Sequence, residues 1–406
     1  MDSGSPSTGA GGPGSPAPAQ EPDFSLVLGG PLYQLLRRTH LSDDHMLLQR
    51  RRIVALTAIA WLPLLLLTAA GGQLFSGVAV PFLTDIEVHA RLLLALPLLV
   101  AAELVVHQRM RLVAATFHTR ALIPAGARER LDAAVASAYR LRNSVAVEIV
   151  LLAIVYVIGI MVVWRQYMSL DTATWYATPG AGRSTLTFAG TWYGYVSLPI
   201  FQFLLCRWYF RVFVWARLLW HVARIELRLV PTHPDRVGGL GFLSNTVFAF
   251  VPVIMAHGVL LAGVLANQIF HAAGRLTDFR LEILLLVIFL LLLVAGPLIV
   301  FAPQLARAKR NGLREYGNLA QRYVRAFDAR WVRGHEPDDT LLGTGDIQSL
   351  ADLGNAFEII KGMRVIPVSK EAILQLAIVA VAPIVPLLLT LMPLEELLKK
   401  LIGIVF

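Results

Sequence analysis

Seven apolar runs, each close to the roughly 20 residues that carry a helix across a bilayer, dominate this chain of 406 residues. They lie near 53 to 70, 92 to 107, 145 to 164, 192 to 212, 247 to 268, 281 to 301 and 372 to 392. The segments between them are unequal in charge. Residues 24 to 52, 107 to 144, 207 to 246 and 304 to 370 hold 5, 7, 6 and 11 Lys and Arg, 29 of the 36 in the chain. Cationic loops resist translocation, so this alternation places the amino terminus in the cytoplasm and the carboxyl terminus outside. The fold class expected is therefore an all-α membrane protein of about seven transmembrane helices.

The mean hydropathy of +0.63 agrees with this reading, and topology accounts for the net charge of +9. Nucleic-acid binding, the other common meaning of a basic chain, is not expected, because the cations are spread along juxtamembrane segments. Their expected partners are anionic lipid head groups, and a homo-oligomer or a protein partner of unstated identity. Cys206 is the single cysteine, so no intrachain disulfide and no CxxC site can form.

The chain divides accordingly. Residues 1–23, rich in Gly, Pro, Ser and Ala, read as a disordered cytoplasmic tail. Residues 24–52 read as an amphipathic pre-span helix with Ser42, Asp43 and Asp44 as its cap. His40 and His45, five residues apart, do not share a helical face, and no metal site is expected. Transmembrane helices 1–6 occupy 53–302, with cytoplasmic inserts at 107–144 and 213–246. A cytoplasmic helical insert follows at 303–370, where Leu313, Tyr316, Leu319, Tyr323, Phe327 and Trp331 recur every three or four residues among arginines, as in an interfacial helix. Asp346 is expected to cap a second helix there. Residues 371–406 hold transmembrane helix 7 and an outer amphipathic helix. Gly72-Gln-Leu-Phe75 and Asn267-Gln-Ile-Phe270 hint at a 3+1+3 parallel repeat.

Ionisable residues inside hydrocarbon are the places to look for chemistry, since each costs several kcal/mol unless paired or hydrated. Glu103, Glu148 and Arg207 fall at similar depth, and Arg211 lies one turn beyond Arg207. Such a group serves as a selectivity or coupling site for an ion or an anionic solute, or as a structural pair that pins three helices; the second is the commoner arrangement. Arg207, Arg211, Arg217, His221, Arg224 and Arg228 form a cationic stripe on one helical arc. Its gaps of four, six, four, three and four differ from a voltage sensor's threefold spacing, and the stripe is expected to face lipid phosphates or a vestibule. His257 is the one histidine expected near mid-membrane, where it relays protons or is satisfied by a neighbouring carbonyl. Trp164, Tyr167, Trp175, Tyr176, Trp192, Tyr193 and Tyr195 read as an outer aromatic belt around a short hairpin. Prolines fall in six of the seven runs, at 63, 97, 199, 252, 297, 383 and 386.

The most distinctive polar string is Pro231-Thr-His-Pro-Asp-Arg-Val-Gly-Gly-Leu-Gly-Phe-Leu243. His233, Asp235, Arg236, Gly238, Gly239 and Gly241 could cradle a phosphate or carboxylate, or the prolines stop one helix and the glycines turn the chain into the next. The string matches neither GxGxxG nor a P-loop. Together with GTGDIQSLADLGNAFE and the closing MPLEELLKKLIGIVF, it resembles a family of bacterial multi-pass membrane proteins with no established activity. The resemblance spans nearly everything after the tail and implies an inner-membrane location, without transferring any functional residue. Hydrolase, kinase, zinc-protease and EF-hand motifs are absent, and no cofactor is expected. The leading expectation is a channel or transporter for a small solute, an anion being one option; the alternatives are a membrane scaffold or sensor, and an intramembrane enzyme built from Glu103, Glu148 and His257.

Overall fold

The computed structural model describes residues 25–29, 49–164, 173–178, 185–333 and 345–391. The pre-span cap at Ser42–Asp44, the side chains of Trp164 and Tyr167, and the carboxyl-terminal amphipathic segment lie outside the described residues. Five described helices are long and apolar enough to cross a membrane: Gln49–Ala70, Ile86–Phe117, Leu240–His271, Leu276–Val332 and Lys370–Thr390. A sixth is added if Ala125–Arg142 and Val145–Gly159, bent by 48° at their junction, form one broken span. The all-α membrane class therefore stands on five or six spans. The expected run at 192 to 212 is helical as well, but it carries Arg207 and Arg211 and is not among these.

In chain order the helices are α1 (Gln49–Ala70), α2 (Ile86–Phe117), α3 (Arg128–Arg142), α4 (Val145–Ile154, widening into a π-helix over Val155–Trp164), α5 (Leu198–Val222), α6 (Val251–His271), α7 (Arg280–Ala295), α8 (Ala302–Phe327), α9 (Asp346–Lys361) and α10 (Lys370–Val381). Proline marks where their pitch changes. Pro97 and Pro199 each follow a π-helical stretch, Ala90–Ala95 and Tyr193–Ser197, and Pro252 follows the 3₁₀ stretch Leu240–Phe250. Pro297, Pro383 and Pro386 sit inside 3₁₀ stretches, Gly296–Phe301 and Ala382–Thr390. A proline ring has no N–H to donate and displaces the carbonyl four residues earlier, so the preceding turns widen or tighten. Pro63 alone lies within α1 with no such change.

One buried carboxylate organises the end of the bundle away from the Lys- and Arg-rich segments. Asp85 caps α2 through Val88 N–H at 3.2 Å and accepts from Asn267 Nδ2 at 2.7 Å and Trp175 Nε1 at 2.8 Å. Asn267 Oδ1 accepts in turn from Ile86 N–H at 2.9 Å, tying α6 to the start of α2. Strands β1 (Ala177–Thr178) and β2 (Thr185–Leu186) pair antiparallel, with Ala177 opposite Leu186, in the place expected for a hairpin. The aromatics beside it are not a lipid-facing belt, however. Trp175, Tyr176 and Tyr193 are buried, with the Trp175 ring centred 5.0 Å from Phe82 and 5.3 Å from Tyr193, while Tyr195 is exposed. The indole N–H drives this correction: it needs an acceptor, and Asp85 provides one inside the bundle.

At the basic end, α3 packs along α5, and α8 pairs with α9. Gly312 of α8 lies so close to Pro231 that a β-carbon would meet the ring at 2.6 Å. Asp346 is the first residue of α9 rather than its cap; Gly345 holds the cap position. The Asp346 carboxylate instead accepts from Trp331 Nε1 at 2.9 Å and pairs with Arg330. Helices α7 and α8 belong to one continuous helix, Leu276–Val332, of 57 residues. The two tetrapeptides of the suggested repeat occupy different settings: Gly72 has φ +70° past the end of α1, while Asn267 lies within α6.

Replacing Asp85 with Ala strands the Trp175 and Asn267 donors, and each such buried loss costs about 1–3 kcal/mol. Thermal unfolding in detergent is expected to drop clearly for Asp85→Ala and to stay near wild type for the exposed neighbour substitution Thr84→Ala.

Candidate functional site

Two neighbouring turns of α5 place Arg207 and Arg211 on one face, and the face points at α2 and α4. Glu103 of α2 receives Arg211 Nη2 at 2.7 Å on Oε1, with Arg207 Nη1 at 3.9 Å from the same oxygen. Its other oxygen is paired with Arg52 of α1. Arg207 Nη2 also lies 3.7 Å from Glu148 of α4. The five side chains join four helices, and none is more than 14% exposed. Arg211 stacks over Trp208 at 4.7 Å, and Trp208 Nε1 donates to Leu99 O one turn before Glu103, at 2.8 Å.

Among the described residues the cluster is cationic, with three guanidiniums facing two carboxylates. Arg52 Nε is buried without a hydrogen-bond partner among the described residues, and so is Thr57 Oγ1 on the same helix. A shared carboxylate between arginines relieves part of their desolvation cost, but a net charge in such a place remains expensive. The structure brings Glu103, Glu148, Arg207 and Arg211 together and adds Arg52, from the segment expected to precede the first span. A signal for it exists: Arg52, Ala60, Leu64 and Thr68 are all buried and lie at multiples of four along α1. Arg50 and Arg51 face outward.

The rest of the cationic stripe is used differently from the expectation. Arg217 donates to Ser137 of α3 at 3.0 Å, and Arg224 stacks on Trp220 at 3.5 Å. His221 Nδ1 lies 2.8 Å from Arg217 O. The stripe thus divides between the buried cluster, the α3 contact and an exposed end at Arg224 and Arg228. The helix also stops at Val222, well before Pro231. His257 has both ring nitrogens occupied. Nδ1 lies 2.7 Å from Val253 O and so carries the proton, leaving Nε2 to accept from Tyr209 O–H at 2.7 Å.

The glycine string 231–243 folds around one side chain. Asp235 Oδ1 accepts from the amides of Val237 at 2.9 Å and Gly239 at 3.2 Å, and Oδ2 accepts from Gly241 at 2.8 Å. His233 Nδ1 lies 2.9 Å from the same carboxylate. Gly238 and Gly239 have φ of +65° and +99°, which turns these amides inward. The amides that would cradle a foreign anion therefore already hold the loop's own. The backbone carbonyl of Arg236 accepts from Arg364 N–H at 2.8 Å, while Arg120 Nη1 donates to Gly239 O at 3.1 Å. The string acts as a knot between the chain just past α2 and the segment after α9. Burial alone would raise the Asp235 carboxyl, but the amides of Val237, Gly241 and Gly239, and then His233, outweigh it and hold it below its ordinary value.

A groove of about 420 Å³ opens nearby, lined by Glu226, Pro231, Gln304, Arg307, Asn311 and Glu315. Its two carboxylates and one guanidinium leave it net acidic, which disfavours an anion there. No grouping of three or more His, Cys, Asp or Glu suited to a metal ion occurs among the described residues.

Comparison with protein-family models, curated proteins and solved structures finds no match to the chain. Any account of activity rests on the geometry above.

Two expectations follow. Glu103→Leu leaves three buried guanidiniums without their shared partner and is expected to destabilise the protein by about 3–5 kcal/mol. Adding Arg211→Met should recover part of that loss, as read by thermal unfolding in detergent. For Asp235, the unfolded carboxyl titrates near about 4 and the folded one lower. Its contribution is therefore complete above that value and lost as pH falls through the folded pKa. Asp235→Asn should lack that acid-sensitive component of stability in a pH series.

Proposed function

We propose that the chain is a seven-span bacterial inner-membrane protein that conducts or transports a small anion along a path centred on the Arg52, Glu103, Glu148, Arg207 and Arg211 cluster. Seven spans are reached by adding the α5 helix to the five long apolar helices and the bent α3–α4 pair. The Lys and Arg distribution supports a cytoplasmic amino terminus, a periplasmic carboxyl terminus and a cytoplasmic basic end.

The observation that carries the reading is the surplus of one positive charge among five buried side chains. Matched pairs or apolar packing would pin four helices at lower cost. A surplus guanidinium is explained if an anion visits. Arg207, held at 3.7 and 3.9 Å from its two carboxylates, is the least tightly bound and the natural contact for such a visitor. His257, closed by Val253 and Tyr209, then serves packing rather than proton relay.

A second reading has its own support. Arg307, Lys309, Arg310, Arg314, Arg322 and Arg325 give α8 a strongly cationic surface suited to anionic head groups, as a scaffold or sensor would need.

Flux of chloride, nitrate, phosphate and small carboxylates into reconstituted vesicles separates the two. Wild type is expected to pass at least one of them, and Arg207→Gln to slow that flux at least tenfold while the protein still elutes as a single species. Absence of flux for every anion, alongside binding to anionic vesicles that α8 charge reversal abolishes, would replace transport with the scaffold reading.

A further inference from the structure

Residues Ser25–Gly29 lie far in sequence from the helices they touch, yet Ser25, Leu26 and Val27 are buried in the main core. The seat is specific. Ser25 Oγ accepts from Val27 N–H at 3.2 Å and Leu28 N–H at 3.0 Å, which folds the segment into a tight turn. With both lone pairs used, its hydroxyl proton is free to go to His107 Nδ1, 3.0 Å away. Arg142 donates through Nη1 to Ser25 O, while its Nε donates to Asn143 Oδ1 at 3.0 Å and its guanidinium stacks on Tyr139 at 4.7 Å. Gly29 adopts φ +125°, and a β-carbon there would meet Asn143 Oδ1 at 2.6 Å and Arg142 Cζ at 2.8 Å.

Both anchor points border the charged cluster. His107 lies one helical turn past Glu103 on the same face of α2, and Arg142 ends α3, the helix packed along the α5 helix that carries Arg207 and Arg211. From these contacts we infer that Ser25–Gly29 is a strap seated over the cytoplasmic entrance to the Arg–Glu cluster, and that its release opens the cluster to aqueous anions. The inference rests on the anion-site reading and adds the regulation of that site. The contacts suit a releasable closure. Among the described residues, two apolar side chains, one hydroxyl and one guanidinium hold the segment, and none of residues 25–29 is part of a helix.

The test uses the full chain with Cys206→Ala and one of two reporters. Val27→Cys reports the strap, and Val106→Cys reports a fully buried position beside Glu103. An anionic, membrane-impermeant methanethiosulfonate reagent is applied to inside-out vesicles. Gly29→Val, or Gly29→Val combined with Arg142→Gln, is expected to speed modification of both reporters at least tenfold. Acceleration at position 27 without acceleration at 106 would mean that the strap covers no entrance, and the inference falls. Unchanged rates at both reporters in the double variant would show a fixed part of the core, which overturns it equally. Anion flux measured on the same variants separates the two readings: faster labelling without flux keeps the strap and removes transport, and flux with unchanged labelling does the reverse.

Discussion

Three helices of this protein, α1, α2 and α5, meet at a single carboxylate. Glu103 is 2% exposed, and arginines from two other helices fill both of its oxygens, with a third guanidinium nearby. In hydrocarbon there is no water to take over if one of these groups withdraws, so α1, α2 and α5 cannot shift independently. Glu148 extends the constraint to α4 through Arg207. The arrangement is taut at Arg211, 2.7 Å from Glu103, and slack at Arg207, 3.7 and 3.9 Å from its two carboxylates.

The same economy recurs wherever backbone leaves regular helix. Asp85 gathers a helix start, an amide and an indole at one end; Asp235 gathers three loop amides at the other. Each places one acidic side chain where several N–H groups would otherwise be stranded. Asp235, which reads in sequence as part of a candidate anion cradle, is consumed by the chain itself.

How much of this was legible follows from what kind of pattern encodes it. Apolar length and cation placement report the spans, because the bilayer imposes a fixed thickness and a fixed penalty on charge. Depth along a span likewise put Glu103, Glu148, Arg207 and Arg211 near one level. Arg52 was harder to see, since three successive arginines look alike until the four-residue spacing of Arg52, Ala60, Leu64 and Thr68 shows which one faces inward. The burial of Trp175 was not legible, because it is decided by Asp85, ninety residues away. Nor was the Asp235 knot, whose amides point inward only because Gly238 and Gly239 take positive φ. Composition reports solvent and periodicity reports faces; which donor meets which acceptor across the fold has no local signature.

The helix Leu276–Val332 runs without interruption from one end of the bundle into the basic region beyond it. Beyond Phe301 about thirty residues extend roughly 45 Å at 1.5 Å each. A tilt of about 10° at its root would sweep the tip through roughly 8 Å, and α9, packed along the same rod, would have to travel with it.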